Sequence, residues 1–326
     1  MKAIRQYEFG AADTLRFEDV PDPTPGEGQV VIDVAAAGVH LLDTSIRAGT
    51  TGGPFPSPEL PMTPGREVAG VVSEVGAGVD GAWVGRPVVA HLGMASGGYA
   101  ARAVAPVAAL HAVPDGLAPE SAVAMIGTGR TALGILDVAD LAADDVVLVP
   151  AAAGGLGTLF VQAVRTAGAT AVGLAGGPEK VEKVRRLGAD VAVDYRDPGW
   201  RDQVLEALAG RKPTLLLDGV GGAVGRTALE MLDVGGRVVM FGWSSGAVTE
   251  FTSADVVAGS LAVVWVTGPR MLRRYGGLRP LETRALAEAA AGRLVPVVHP
   301  FPLADAARAH TALEERATSG KVVLVP

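Results

Sequence analysis

Cysteine is absent from the 326-residue chain, and aromatic residues make up only 5% of it. Without thiols the chain has no disulfide, no cysteine nucleophile, no iron–sulfur cluster and no cysteine-ligated zinc. Basic residues are also scarce, since 28 Lys and Arg stand against 35 Asp and Glu, for a formal net charge of −7. Nucleic-acid binding requires clustered positive charge, so this balance predicts no nucleic-acid partner.

The N-terminus lacks the pattern of a signal peptide, because charges interrupt the apolar residues within residues 1–9. Residues 146–164 carry no charge and have the length of a membrane span, but Pro150 and a Gly-Gly-Leu-Gly cluster interrupt them. We interpret this run as a buried strand, a tight turn and a buried helix. These features predict a cytoplasmic protein without a membrane partner.

Hydrophobic residues make up 49% of the chain, which is ample for a packed core, and the length suits two domains. Residues 1–120 contain short apolar runs separated by Pro/Gly clusters, a pattern typical of an antiparallel or barrel-like β domain. The proline-rich segment 54–64 predicts a surface loop.

From residue 121 onward, apolar runs that suit strands alternate with helical patterns. The runs lie at residues 146–149, 170–175, 191–195, 215–220, 238–243 and 261–267. Such alternation predicts a parallel sheet covered on both faces, and six strands complete a dinucleotide-binding fold. We therefore predict a dinucleotide-binding domain at residues 121–268, with residues 269–326 returning to the domain that residues 1–120 begin.

The sharpest motif is the turn Ala151-x-x-Gly154-x-x-Gly157, between the first of these strands and a helix. Glycines here permit a tight bend, let N–H groups approach a pyrophosphate, and allow the helix to pack closely on the strand. The helix N-terminus adds unpaired donors and a partial positive charge. We predict that the residues of this turn that bind a dinucleotide are Gly154, Gly155, Leu156 and Gly157. The alternative is a Gly/Ala-rich turn without a ligand.

The end of the second strand indicates which dinucleotide binds. An NAD site places Asp or Glu there to accept hydrogen bonds from the ribose. Here the strand runs into Gly176-Gly177 without a carboxylate, Lys180 follows closely, and Tyr195 ends the third strand. Small residues with a cation and a phenol suit a 2′-phosphate, so the sequence favours NADPH over NADH.

Further motifs accompany the turn, at residues 64–76, Gly97-Gly98-Tyr99-Ala100, Gly129-Arg130-Thr131-Ala132, Leu187-Gly188-Ala189-Asp190, Asp218-Gly219-Val220-Gly221-Gly222, Gly235-Gly236-Arg237-Val238-Val239 and Gly320-Lys321-Val322-Val323-Leu324. Over nearly its whole length the chain resembles the medium-chain dehydrogenase/reductase superfamily, in its zinc-independent quinone oxidoreductase (zeta-crystallin-like) branch. The resemblance implies an α/β fold, with a six-stranded Rossmann domain inserted into a GroES-like β-rich domain.

The resemblance also implies cofactor contacts and an assembly. Lys180 and Tyr195 match positions that hold the 2′-phosphate in NADPH-using members, and Arg316 is expected to join them. Thr131 matches a threonine near the nicotinamide, and Phe241-Gly242 matches the strand-end backbone beside that ring. Family members commonly form homodimers through the last Rossmann strand, here the apolar run 261–266; the alternative is an edge covered within its own chain.

The segments that bind catalytic zinc in zinc-dependent relatives are altered here. Residues 38–43 lack the cysteine, and Arg66 replaces the histidine of the Gly-His-Glu motif. We therefore predict no metal; the alternative is a nitrogen/oxygen site formed by His40, Asp43 and Glu67. Reducing a plain ketone develops an alkoxide that needs a strong acid, whereas a quinone or enone gives a delocalised, weakly basic anion. The predicted function is an NADPH-dependent oxidoreductase that transfers hydride to a quinone or similar conjugated acceptor.

The substrate pocket departs from the resemblance. Quinone reductases of this type carry Asn where His40 stands, Tyr where Ser45 stands, and another Tyr near Thr51. We predict that His40 donates a proton to the substrate, with Asp43 and Ser45 in the same site; the alternative is a histidine bonded to Asp43 or to the backbone. The segment 50–58 is a predicted lid.

Three other functions stay open. The chain could be an enoyl or enone (C=C) reductase, or a zinc-free alcohol dehydrogenase. From another class, it could be a non-catalytic NADPH-binding sensor or a crystallin-like protein. Tight NADPH binding without oxidation by any acceptor would distinguish the sensor from the enzymes.

Overall fold

The computed structural model describes residues 1–50, 58–93 and 96–326, which form two compact units. The first unit comprises Met1–Thr128 and Glu282–Pro326, and the second comprises Gly129–Leu281. Thr51 and residues 51–57 of the predicted lid lie outside the described residues.

The N-terminal part of the first unit is rich in short strands. Its strands and helices, in chain order, are β1 (Lys2–Gln6), β2 (Leu15–Asp19), β3 (Gln29–Gly38), α1 (Leu41–Ala48), β4 (Glu67–Val75), β5 (Pro87–His91), β6 (Arg102–Pro106), β7 (Leu110–Ala112) and α2 (Pro119–Ala124). A π-helical turn, Met125–Gly129, follows α2. The sequence analysis predicted β structure in this part of the chain and did not predict helix α1.

The second unit alternates strands and helices. They are α3 (Arg130–Ala139), β8 (Val146–Pro150), α4 (Gly155–Thr166), β9 (Thr170–Ala175), α5 (Pro178–Arg186), β10 (Val191–Asp194), α6 (Trp200–Ala207), β11 (Leu215–Asp218), α7 (Gly222–Glu230), β12 (Arg237–Met240), α8 (Ser253–Gly259), β13 (Ala262–Trp265) and α9 (Pro269–Tyr275). The strands form a parallel sheet in the order β10-β9-β8-β11-β12-β13. This is the order of a dinucleotide-binding fold, and it confirms the predicted Rossmann sheet.

The chain then crosses into the first unit and completes it. The last elements are α10 (Arg279–Ala290), β14 (Val298–Pro302), α11 (Ala306–Glu314) and β15 (Lys321–Val325). Strand β15 pairs antiparallel with β3, in a sheet of order β14-β15-β3-β4-β5-β7 to which β6 adds on β3. Alternate residues of β3 and β4, such as Val30, Ile32, Val68 and Val72, form the core of this unit. Both ends of the chain therefore build one β-rich unit.

The unit boundaries differ from the predicted residues 121 and 268. Helix α2 belongs to the first unit because it packs on β3, β4 and β15. Helix α9 belongs to the second unit, where the Tyr275 hydroxyl donates to Asp137 Oδ2 at 2.5 Å. The helical stretch Pro119–Ala139 is long and apolar enough to cross a membrane, but 78% of its apolar 18-residue window is buried, as in a core helix.

Candidate active site

The predicted pyrophosphate turn joins β8 to α4. Ala151 adopts a left-handed conformation at φ 52, and the Gly154 N–H donates to the Ala151 carbonyl at 2.8 Å. A Cβ on Gly157 would lie 2.3 Å from the Ala151 oxygen, so only glycine lets the helix approach the turn this closely. No side chain caps the N-terminus of α4, which leaves first-turn N–H groups for a ligand.

The residues predicted to bind the adenosine end of the cofactor lie around Gly176 and Gly177, after β9. A Cβ on Gly176 would lie 3.0 Å from the Tyr195 hydroxyl, and one on Gly177 would lie 2.2 Å from an Arg196 guanidinium nitrogen. Burial alone would raise the pKa of Asp194, but hydrogen bonds from Arg196 and from the Gly177 N–H lower it. The sequence analysis missed Arg196, although it directly follows Tyr195 and is basic.

The other predicted cofactor residues lie in separate places. Lys180 stands in the first turn of α5, and Thr131 is half-buried in the first turn of α3. Phe241-Gly242 follows β12, and the Phe241 ring packs edge-on against another phenylalanine with the centroids 5.4 Å apart. Arg316 belongs to the first unit, so its contact with the cofactor stays a prediction.

His40 is the residue on which helix α1 begins. Its main-chain N–H donates to Asp43 Oδ2 at 2.8 Å. An N–H group at the start of a helix has no carbonyl partner within the helix, so the Asp43 carboxylate supplies the missing acceptor. Gly49 ends the helix in a left-handed conformation, with Arg47 in the last turn. The spacing of these residues was the available signal for a helix, and the sequence analysis did not use it.

Asp43 is buried and surrounded by donors. Tyr99 donates its hydroxyl hydrogen to Asp43 Oδ2 at 3.1 Å, and Arg66 Nε approaches Oδ1 at 3.4 Å. Burial, and then the neighbouring Asp43, raise the pKa of Tyr99 well above its usual value. These hydrogen bonds anchor the start of α1, and the catalytic role of Asp43 stays a prediction.

His310 extends this network. Its Nε2 lies 3.2 Å from the Tyr99 hydroxyl, and the ring is completely buried. Burial lowers the pKa of His310 to about 4, which keeps the ring neutral near neutral pH. The sequence analysis assigned no role to this histidine because its partners are remote in the chain.

The imidazole of His40 contacts Glu67, at the start of β4, with 2.6 Å between Nε2 and Oε1. The other oxygen, Oε2, lies 3.0 Å from Nζ of Lys321, at the start of β15. Burial by itself raises the pKa of Glu67, but the facing His40 and Lys321 hold it well below its usual range. The predicted alternative, a His40 ring bonded to Asp43 or to the backbone, stands beside this contact with Glu67, because the His40 side chain also takes part in the capping box with the Asp43 main chain.

Ser45, the third predicted catalytic residue, lies half-buried on α1. Its carbonyl oxygen accepts from the Thr50 N–H at 3.0 Å. Within the described ranges of the chain, no hydrogen bond of its hydroxyl is found, so its role stays a prediction. The sequence analysis considered Glu67 only as part of an alternative metal site with His40 and Asp43, and it missed Lys321, although both residues lie in motifs that it had singled out.

Comparisons with known proteins agree with this two-part organisation. The family model for the alcohol dehydrogenase GroES-like domain matches residues 26–115, and that for zinc-binding dehydrogenase matches residues 155–278. The chain is 32% identical to quinone oxidoreductase 1 of Escherichia coli, over 99% of both chains. It is 31% identical to a 2-haloacrylate reductase of Burkholderia sp, over 98% of this chain and 97% of that protein.

Solved structures resemble it as well. The E. coli quinone oxidoreductase complexed with NADPH has a TM-score of 0.86 at 30% identity, and covers 100% of each chain. A mycobacterial protein complexed with NADPH has a TM-score of 0.85 at 34% identity, again over 100% of each chain. The chain is thus an oxidoreductase of the medium-chain dehydrogenase/reductase superfamily. Within that superfamily it belongs to the quinone oxidoreductase family, which confirms the predicted family and fold class.

The residues of the first unit do not fit catalytic zinc. A catalytic zinc site takes three protein ligands, and the usual Cys and His are replaced here because the chain has no cysteine and carries Arg66. The Glu67 oxygens are already engaged by His40 and Lys321. Among residues 1–50, 58–93 and 96–326, no group of three or more His, Cys, Asp and Glu is arranged to hold a metal ion.

Proposed function

We propose that the protein catalyses the NADPH-dependent reduction of a quinone. The observation that carries this proposal is the turn between β8 and α4, where Gly157 has no room for a Cβ and the helix N-terminus is uncapped. A diphosphate suits such a turn because backbone donors and the helix dipole both favour negative charge. The NADPH complexes of two relatives support the choice of dinucleotide.

The preference for the phosphorylated nucleotide rests on charge. Strand β9 ends without a carboxylate, and Asp194, at the end of the neighbouring strand β10, is already held by Arg196 and the Gly177 N–H. Lys180 and Tyr195 complete a surface that suits a dianionic 2′-phosphate better than a ribose hydroxyl. Arg316 is proposed as a further contact.

In the first unit we assign the proton donor to His40. NADPH, when bound, would supply a hydride, and the quinone would thereby gain two electrons and one hydrogen to become the monoanion of the hydroquinone, leaving NADP⁺. His40 transfers one proton to the phenolate oxygen of that anion, which completes the hydroquinone, and regains a proton from solvent. The His40 side chain is 25% exposed, which leaves the ring partly open to substrate and water. Asp43 and Ser45 are proposed to shape the same site.

We propose that this reaction proceeds without zinc. The anion formed from a quinone resembles a phenolate, whose conjugate acid has a pKa near ~10, so a histidine is a sufficient acid. A simple ketone would develop a far more basic alkoxide, for which this site offers no Lewis acid among the residues described above.

A second candidate is reduction of an activated C=C bond. The observation that favours it is the 2-haloacrylate reductase relative, which is about as similar to this chain as the quinone oxidoreductases are. Hydride addition to a conjugated acid or enone also gives a delocalised anion that a weak acid can protonate.

We further propose a cytoplasmic homodimer with small-molecule substrates and neither nucleic-acid nor membrane partners. Strand β13 lies at the edge of the six-stranded sheet, and it ends at Trp265, which is 39% exposed. Trp243 stands beside it, with the ring centroids 5.4 Å apart. An exposed edge with two aromatic rings suits pairing with a second copy. Sedimentation at several concentrations measures the assembly directly.

The test of the proposed function begins with titration of the purified protein with NADPH and NADH, followed by an acceptor panel. The panel contains a benzoquinone, a naphthoquinone, an enone and 2-chloroacrylate, and NADPH oxidation is followed by absorbance. We expect turnover with the quinones. Turnover with 2-chloroacrylate or the enone alone selects the second candidate, whereas binding without any turnover selects a sensor. No affinity for either nucleotide ends the proposal.

A further inference from the structure

Glu67 is an ionised side chain in the interior of the first unit that the proposed reduction does not use directly. Its side chain is 0% exposed, although it lies next to the partly open ring of His40. Placing a carboxylate in a protein interior is unfavourable unless opposite charge or hydrogen bonds compensate it. Its two oxygens meet different partners, the His40 imidazole at 2.6 Å and the Lys321 ammonium at 3.0 Å.

Two glycines enclose the carboxylate. A Cβ on Gly127, in the π-helical turn after α2, would lie 1.5 Å from Oε1. A Cβ on Gly38, at the end of β3, would lie 2.3 Å from Oε2. Any larger residue at either position would displace the carboxylate. The backbone therefore approaches Glu67 from two sides, which excludes water and strengthens its interaction with the two nitrogen groups.

The contact with Glu67 determines which nitrogen of the His40 imidazole carries a hydrogen. An ionised carboxylate only accepts hydrogen bonds, and a bare ring nitrogen would repel it at 2.6 Å. Nε2 of His40 therefore carries a hydrogen in both the neutral and the charged ring. The proton that the ring gains and loses is the one on Nδ1.

We propose that Glu67 and Lys321 are positioning residues that hold the imidazole of His40 in one orientation and one tautomer, with Lys321 offsetting part of the negative charge that the ring faces. This inference rests on the proposed role of His40 as proton donor. The negative charge of Glu67 stabilises the imidazolium form of His40. The positive charge of Lys321, on the other oxygen of the same carboxylate, weakens that stabilisation. The pair thus sets the pH range in which His40 can give up a proton.

Other charged or titratable groups around this cluster lie on several elements. Asp43 on α1 accepts from the His40 main chain, and Arg66 approaches Asp43. His91, at the end of β5, interacts electrostatically with Glu67. Because these groups are unchanged in variants of Glu67 and Lys321, the two substitutions isolate the contribution of the pair.

The experiment compares the pH dependence of kcat in two single variants. A proton donor is active when protonated, so kcat falls as the pH rises. Glu67→Gln removes the negative charge beside His40, and the fall is expected to move to lower pH by about one unit or more. Lys321→Met leaves that negative charge less compensated, and the fall is expected to move to higher pH. Shifts in the same direction, or no shift, overturn the proposal.

Matched controls separate this effect from a general loss of charge. Glu74→Gln removes a carboxylate from the exposed part of the same strand, and Lys2→Met removes an ammonium from an exposed ion pair with Asp19. Neither should move the profile. Lys321→Arg, which keeps the charge, should restore the profile towards that of the unaltered protein.

A readout independent of turnover distinguishes failure of this inference from failure of the proposed function. Nitrogen-15 NMR of the histidine rings, with His40 assigned through His40→Asn, is expected to report a hydrogen on Nε2 in the neutral ring. The opposite tautomer overturns the inference even if quinones are reduced. An inactive protein with the expected tautomer and opposite NMR titration shifts supports the positioning pair while rejecting the proposed reaction.

If a single variant does not fold, the double variant Glu67→Gln/Lys321→Met removes both buried charges together, which is better tolerated than removing one. Its His40 NMR titration is expected at lower pH than in the unaltered protein, because Glu67 is the nearer of the two charges. A titration unchanged or moved to higher pH overturns the proposal.

Discussion

The two units provide function by different physical means. In the second unit the dinucleotide site consists mainly of backbone, with a glycine turn and a helix N-terminus formed by neighbours along the chain. In the first unit the site consists of ionisable side chains that come from distant strands, with His40, Glu67 and Lys321 meeting in the interior. A site built from backbone groups uses residues that are close together in the sequence. A cluster of charged side chains uses residues that come together only when the strands of the sheet pair.

The energetic demands also differ. The turn after β8 contains no charged side chain, and two of its N–H groups already donate within the protein, that of Ala152 to the Leu174 carbonyl and that of Gly154 to the Ala151 carbonyl. The cluster in the first unit buries a carboxylate and an ammonium, so each depends on its partner for stability. Substitutions should therefore affect binding in the second unit, and catalysis or stability in the first.

The largest expected effect concerns His40. In His40→Ala, kcat should fall by ~100-fold or more because the proton donor is lost, while NADPH affinity should remain unchanged. Steady-state kinetics and fluorescence titration measure the two quantities. His299→Ala, a half-buried histidine in the same unit, is the matched control. An unchanged kcat would mean that His40 only supports the structure.

Acid should weaken the protein through His310. Its pKa is about 4 in the folded state against 6.5 ordinarily, so the unfolded chain takes up a proton first as the pH falls. The free energy of unfolding should thus decrease by about 2 kcal/mol between pH 7 and pH 5 from this residue alone. Urea unfolding at both pH values measures the decrease. His310→Gln should reduce the difference, whereas His299→Gln should retain it; equal slopes in both would contradict the assignment.

In the second unit, charge reversal at Lys180 should separate the two nucleotides. Lys180→Glu is expected to weaken NADPH binding by about tenfold or more, because it places a carboxylate near the 2′-phosphate, and to change NADH binding little. Calorimetric titration with each nucleotide measures the ratio. Lys183→Glu, on the same helix, provides the control. Equal losses for both nucleotides would remove Lys180 from the phosphate site.

The smallest expected effect is that of metal removal. Prolonged dialysis against EDTA or phenanthroline should leave kcat with a quinone unchanged, since the donor set of the first unit does not suit zinc. Metal analysis of the dialysed protein accompanies the assay. Activity that disappears and returns with added zinc would refute the zinc-free reaction.

Much of the second unit follows from local pattern. The predicted strand 170–175 coincides with β9, and helices α5 and α6 lie between the predicted strands as the alternating pattern requires. Other strands end at residues different from those predicted. The strand predicted over residues 238–243, for example, ends at Met240. Hydrophobic periodicity locates an element, but its ends depend on where sheet partners stop, as β12 and β13 do together.

The first unit was harder to predict. Helix α1 was missed because it is only 8 residues long and lies among strands, and because its start depends on the Asp43 carboxylate, which Tyr99 and Arg66 contact from distant parts of the chain. The predictions selected His40 and Asp43 but not Glu67 or Lys321. Nothing local to those two residues indicates that their charges meet.

Motifs along the chain were sufficient for the resemblance to the family. The hydrophobic pattern was sufficient for the alternating fold of the second unit and for the glycine turn, because these depend on interactions between near neighbours. The partners of His40 and the fully enclosed Glu67 emerged only when β3, β4 and β15 were paired. Charge compensation in a protein interior depends on distances of a few ångströms between residues hundreds of positions apart, and pairing of the strands sets those distances.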